Sequence, residues 1–143
     1  MDNVFNSEAV LGTNPEQIPD KEATYQIWKK AKQSYQEKEY QQSLTWVEQV
    51  QLDNVTEKEQ AELKFQRALL YMLTQKYQKS YDLFQEVNYD PSRTAWYKAI
   101  LLLKLKQPKN TVIDAFEKIA KSPSNRFAED AGNILKELKK MKN

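Results

Sequence analysis

Histidine and cysteine are both absent from the 143 residues, and glycine occurs only twice, at Gly12 and Gly132. Without imidazole or thiol there is no histidine base, no cysteine nucleophile, no disulfide, and no zinc site of the His or Cys kinds. Two distant glycines can write neither a Walker loop nor a dinucleotide fingerprint, because both need several glycines close together to bring backbone amides against phosphate. No apolar run approaches the ~18 residues needed to span a bilayer. The first 20 residues carry acids and no base, with Ala9-Val10-Leu11 as the only apolar run, so they do not read as a signal peptide. What remains is a chain with room for one domain, large enough to bury roughly 68–70% of its unfolded surface.

Charge of one sign is also lacking overall: 22 Lys and Arg against 20 Asp and Glu leave +2. The distribution is uneven. Residues 1 to 22 carry −4, residues 23 to 94 balance, and residues 95 to 143 hold eleven bases against five acids. Arg126 is the only arginine of that basic end, whereas readers of phosphate and base edges lean on arginine forks. A solvated lysine-rich face is therefore expected, and no nucleic-acid partner.

The first 22 residues read as an irregular arm, interrupted by Gly12, Pro15 and Pro19. From Ala23 on, apolar residues recur at three- and four-residue spacing, which predicts helices. Seven can be read: Ile27 to Tyr35, Tyr40 to Val50, Ala61 to Met72, Tyr77 to Val87, Trp96 to Leu103, Val112 to Ile119, and Phe127 to Leu138. Turns fall at Asp53-Asn54 and Asp90-Pro91, breaks at Pro108 and Pro123, and Ser124 or Asn125 is placed to cap the last helix. No alternating β-branched stretch occurs, so the expected fold class is all-α.

The chain also repeats. A shift of 37 residues lays Tyr40-Gln41-Gln42-Ser43 on Tyr77-Gln78-Lys79-Ser80 and Ala31 on Ala68. A further shift of 32 lays Tyr81, Phe84 and Val87 on Ile113, Phe116 and Ile119. Periods of this length with two helices per unit indicate a helical solenoid. Ala31, Tyr40, Ser43 and Val47, then Ala68, Tyr77, Ser80 and Phe84, then Ala99, Val112 and Phe116 fill small and aromatic places in a pattern that resembles the tetratricopeptide repeat family. The family's interhelical glycine is replaced by Lys38, Gln75 and approximately Gln107. The resemblance implies an α-α superhelix of about three helix pairs, at residues 23–54, 57–90 and 92–123. A C-terminal capping helix follows at about 125–141.

Candidate chemistry is sparse. Carboxylate pairs such as Glu37/Glu39 and Glu129/Asp130 lie among lysines and turns and read as charged helix faces, and Ser43 and Ser80 read as packing residues without a base. No catalytic residue, metal site or cofactor is expected. By the resemblance, the first helix of each unit lines a concave face. That places Trp28, Lys32 and Tyr35, then Phe65, Leu69 and Met72, then Trp96, Ile100 and Leu103 at a candidate groove. For any single one of them inter-helix packing is the favoured reading, because large apolar side chains are usually buried, while some of the set are expected to remain exposed. Among them Trp28, Tyr35, Phe65 and Trp96 are the expected binding anchors, with Lys32 and Lys104 flanking. The asparagines of the family's carboxylate clamp are missing, so acidic chaperone tails are not expected ligands. The leading expectation is a non-enzymatic module that binds a peptide or protein segment, and the rival is a homo-oligomerisation unit. The stretch WYKAILLLKLKQPKNTVIDAFEKIA followed by RFAEDAGNILKEL resembles tetratricopeptide tails of bacterial envelope proteins, which implies a periplasmic or membrane-tethered setting and leaves a cytoplasmic one open.

Overall fold

A computed structural model describes residues 21–51 and 55–141, so the N-terminal arm through residue 20 and the Asp53-Asn54 turn lie outside the described residues. Among the described residues there are seven helices and no strand. They are α1 (Lys21–Gln36), α2 (Tyr40–Glu48), α3 (Glu57–Leu73), α4 (Tyr77–Phe84), α5 (Pro91–Lys104), α6 (Lys109–Ala120) and α7 (Ala128–Lys140). The chain divides into two compact units, one ending at Val87 and one beginning at Asn88. In the first, α1 packs on α2, α2 on α3 and α3 on α4; in the second, α5 packs on α6 and α6 on α7.

Local chemistry sets the helix starts. Thr56 and Glu59 form a reciprocal capping box: the Thr56 hydroxyl accepts from the Glu59 amide at 3.2 Å, and the Thr56 amide donates to the Glu59 carboxylate at 3.1 Å. Asp90 caps α5 by accepting from the Arg93 amide, with Pro91 at the first helical position where its missing donor costs nothing. The last helix departs from expectation. Its N-cap is Phe127, and Asn125 instead accepts from the Phe127 amide at 2.8 Å, holding the turn that precedes the helix.

The first helix of each pair closes in the same way. Lys38, Gln75 and Lys106 have φ of 62°, 65° and 56°, and each donates its amide to the carbonyl three residues back, from Tyr35, Met72 and Leu103. The next amide, of Glu39, Lys76 or Gln107, reaches five residues back to Ser34, Tyr71 or Leu102. This is the Schellman closure, whose left-handed residue is usually glycine. In the third pair that residue is Lys106, one position earlier than the alignment of Gln107 suggests. The cause is an extra residue in the third turn: α6 starts three residues after its left-handed residue, whereas α2 and α4 start two after theirs. First helices and turns therefore repeat at 31 residues between the second and third pairs, and second helices at 32.

An L-residue in this region carries strain that glycine does not. Lys38→Gly, Gln75→Gly and Lys106→Gly are each expected to stabilise the protein by about 0.5–1 kcal/mol, raising Tm by about 2–3 °C in a chain of this size. Circular dichroism melts check this, and an unchanged or lower Tm in all three would show that the turns do not hold this conformation in solution.

Within the pairs, Ala31, Ala68 and Ala99 are fully buried, which allows close helix approach. The Ser43 hydroxyl donates across to the Ala31 carbonyl at 2.8 Å, and the Ser80 hydroxyl to the Ala68 carbonyl at 2.6 Å. In the third pair Val112 takes the serine's place and joins Ala99, Phe116 and Ile119 in one core cluster with Ala131, Leu135 and Leu138 of α7.

Candidate interaction face

Repeat position and helix periodicity explain where the candidate groove residues fall. Trp28 and Tyr35 stand three residues before and four after Ala31, so they share the stripe that α1 turns into its pair, and they are only 6% and 8% exposed. Tyr35 also leans on Tyr40 across the turn, with centroids 5.5 Å apart. Phe65 and Leu69 are 1% and 0% exposed on α3, and Phe65 meets Phe84 of α4 edge to face at 5.6 Å. Lys32, Met72, Trp96 and Ile100 are half-buried, and Leu103 is 43% exposed.

Three of the four expected anchors, Trp28, Tyr35 and Phe65, are thus core side chains as much as contacts. Alanine at any of them would remove packing before it removed binding. The open apolar surface lies further along. On α5, Trp96, Ile100 and Leu103 recur at four and three residues, and Lys104 follows four residues after Ile100 on the same side. Trp96 is held from below, edge to face on Phe116 at 5.8 Å and stacked on Phe127 at 5.0 Å with the rings 5° from parallel. Arg126 lies over Phe127 at 5.3 Å and binds Asp90 at 2.8 Å. Trp96 and Ile100 also pack against the core cluster of the second unit, so the stripe is open mainly at Leu103, beside the exposed Lys104.

A second surface was not legible in the sequence. Lys64, Arg67, Tyr71, Lys79, Asp82, Leu83 and Glu86 line an open pocket of about 500 Å³ on the first unit. Arg67 Nη2 donates to the carbonyls of Val47 (3.0 Å) and Val50 (2.5 Å), buried residues in and just past the last turn of α2, where a guanidinium also meets the negative pole of the helix dipole. Burial lowers the Arg67 pKa, against the opposing influence of Tyr71 and Glu48. Tyr71 donates to Glu48 at 3.3 Å, and burial together with that carboxylate raises its pKa above the ordinary 10.0. Elsewhere on α3, Glu62 is buried and its Oε2 has no hydrogen-bond partner among the described residues.

Arginine is the signal that could have been read. The chain has only three, and each ties down a helix end: Arg67 that of α2, Arg93 and Arg126 the Asp90 cap of α5. A planar fork serves such carbonyl and carboxylate pairs as a lysine cannot. Arg67→Lys is accordingly expected to cost about 1–2 kcal/mol, whereas Lys64→Arg on the same helix stays within about 0.5 kcal/mol. Urea denaturation distinguishes them, and equal midpoints for the two variants would remove the clasp from the account.

No protein-family model, no curated protein and no solved structure matches this chain. Among the described residues no group of three acidic side chains is placed to hold a metal, and no helix is long and apolar enough to cross a membrane.

Proposed function

We propose that the chain is a non-enzymatic binding module with a tetratricopeptide-like superhelical fold, receiving a peptide or protein segment on the surface presented by the first helices of its pairs. Support for the fold comes from what recurs at the repeat spacing: the left-handed turn residues Lys38, Gln75 and Lys106, the buried Ala31, Ala68 and Ala99, and the serine-to-carbonyl bridges from Ser43 and Ser80. The alanines and serines are among the residues that carry the family resemblance, and the left-handed turn residues stand at, or for Lys106 one position before, the places aligned with the family's glycine.

The observation that carries the function is the α5 stripe. Leu103 is exposed beside half-buried Ile100 and Trp96, the last fixed by two aromatic neighbours. Rigid, partly desolvated apolar side chains are where binding energy concentrates. The lysine that ends the stripe favours a ligand with apolar anchors and mild negative charge, bound less tightly as salt rises.

The test is to recover a partner from the source cell and compare Ile100→Ala and Leu103→Ala with Gln49→Ala and Gln85→Ala, which are exposed on the second helices' side. Leu103→Ala, at the exposed position, is expected to lose about tenfold or more in affinity while keeping the wild-type melting curve, whereas Ile100→Ala, which also packs on the core cluster, is expected to lower Tm together with affinity. Normal binding by both α5 variants, with loss at Gln49 or Gln85, would overturn the reading. Recovery of the same chain as the partner, with a doubled mass in solution, would replace it with self-assembly.

A further inference from the structure

The open pocket of the first unit is walled by charges that the unit itself leaves unpaired. Lys64, Arg67 and Tyr71 stand at three- and four-residue steps along α3, and Lys79, Asp82 and Glu86 at the same steps along α4 and just past its end. All belong to the first unit. Phe65 meets Phe84 while Ala68 meets Ser80, so the two helices run in opposite directions. Lys79 therefore comes to the Tyr71 end, where its ammonium lies 5.9 Å from the ring centre, and Lys64 is left toward the Glu86 end.

No ion pair closes this pocket. Lys64, Lys79, Asp82 and Glu86 are in none among the described residues, and Asp82 accepts only from the Gln78 side-chain amide, at 2.9 Å. Arg67 is half-buried and has donors to spare. Its Nη2 serves the Val47 and Val50 carbonyls, whereas Nε has no acceptor and Nη1 makes no bond among the described residues. With Glu48, which accepts from the Tyr71 hydroxyl, the surroundings hold three bases and three acids. A simple anion or cation would meet a like charge for every opposite one. A ligand with one charge of each sign can meet both sets favourably.

We infer that this pocket is a second binding site, for a peptide segment that carries an acidic and a basic side chain close together. The ligand's carboxylate lies toward Lys64 and Arg67 of α3, and its cation toward Asp82 and Glu86 of α4. A volume of about 500 Å³ is in the range of ligand sites, but the open side would leave a small molecule largely in water, which favours a chain lying across the pocket. The site is also separate from the candidate groove. Arg67 lies about 160° around α3 from Phe65 and from Leu69, as 3.6 residues per turn require, and the pocket owes nothing to the α5 face.

The test uses the whole chain, nitrogen-labelled, and capped peptides in which one, two or three alanines separate a glutamate from a lysine. In control peptides one of the two charged residues is glutamine. At least one glutamate–lysine peptide is expected to shift the backbone amide signals of α3 between Lys64 and Tyr71 and those of α4, with millimolar affinity. Each glutamine control should bind about two- to fivefold more weakly, the effect of one exposed ion pair, and salt at about 1 M should weaken all of them. Asp82→Asn with Glu86→Gln is expected to lower affinity for the glutamate–lysine peptide by a similar factor and to leave the lysine-free control unchanged. Lys64→Gln should lower it too and leave the glutamate-free control unchanged. Leu103→Asp is expected to bind as wild type, and circular dichroism checks that each variant is folded.

Absence of shifts on α3 and α4 with every peptide, or shifts confined to other helices, overturns the inference. Equal binding by a singly charged control does so as well, since the pocket would then be an anion or a cation site. Free alanine, itself a zwitterion, producing the same shifts at lower concentration than the peptides would replace the segment with a small dipolar molecule. Loss of peptide binding in Leu103→Asp would move the binding to the α5 stripe, whereas failure of the α5 reading with these shifts intact would leave this site standing.

Discussion

A chain ending at Ser124 is expected to aggregate, or to melt without a cooperative transition. Helix α7 covers one side of the second unit's core: Ala131, Leu135 and Leu138 are buried against Val112, Phe116 and Ile119, with Phe127 and Ile134 packed beside them. Removing α7 would bare those α6 residues and take away the ring stacked on Trp96. Each large apolar side chain buried there stabilises by about 1.5–3 kcal/mol, so the helix contributes on the order of 5–10 kcal/mol, comparable to the whole stability of an ordinary domain. Polar ties at the same interface are minor by comparison. The Glu117–Lys139 ion pair at 3.4 Å is solvent-exposed on the lysine side, and Lys139→Ala should shift stability by less than about 1 kcal/mol. Size-exclusion chromatography and thermal melts of the truncated chain and of Lys139→Ala make the comparison. A soluble, equally stable monomer without α7 would mean that the helix is not part of the core.

The second large effect is expected from Ala68→Leu. Ala68 is fully buried where α3 meets α4, and its carbonyl accepts from the Ser80 hydroxyl at 2.6 Å. A leucine there has no space to occupy and must push the helices apart, at about 1–3 kcal/mol for overpacking, and the separation also breaks the serine bridge, adding about 1 kcal/mol. The two contributions can be separated. Ser80→Ala alone should cost about 1 kcal/mol, and the double variant should cost less than the sum of the singles, because the bridge can be lost only once. Wild-type stability of Ala68→Leu would show that α3 and α4 are further apart than these contacts require.

Helix positions were legible because the apolar period and the breakers agree: Asp90-Pro91 was read as a turn, and α5 starts there with Asp90 as its N-cap, whereas the Thr56–Glu59 capping box of α3 went unread. The third turn was read one residue late because Lys106, Gln107 and Pro108 offer no glycine to mark the left-handed position, and only backbone geometry separates the first two. Candidate face residues were half legible. Sequence places Trp28, Phe65 and Trp96 at equivalent repeat positions, but exposure depends on what lies on the neighbouring faces of the helix. Buried Leu63 and Leu70 lie on a side of α3 away from Phe65, so that helix is buried nearly all round, whereas α5 keeps Leu103 open. The scarcity of arginine marked Arg67, but its partners were out of reach, because Val47 and Val50 are twenty and seventeen residues away and offer only backbone.

The extra residue in the third turn also says something about connectivity. Phe65 meets Phe84 at 5.6 Å and 75°, and Trp96 meets Phe116 at 5.8 Å and 81°, although the second pair is joined by a linker one residue longer. Two different tethers deliver the same docking pose, so interlocked side chains decide how the helices sit and the tether only keeps them in one molecule. The loop around Gln107 and Pro108 is thus a place where the polypeptide can be lengthened, or opened to create new termini, with the α5–α6 pairing left to its side chains.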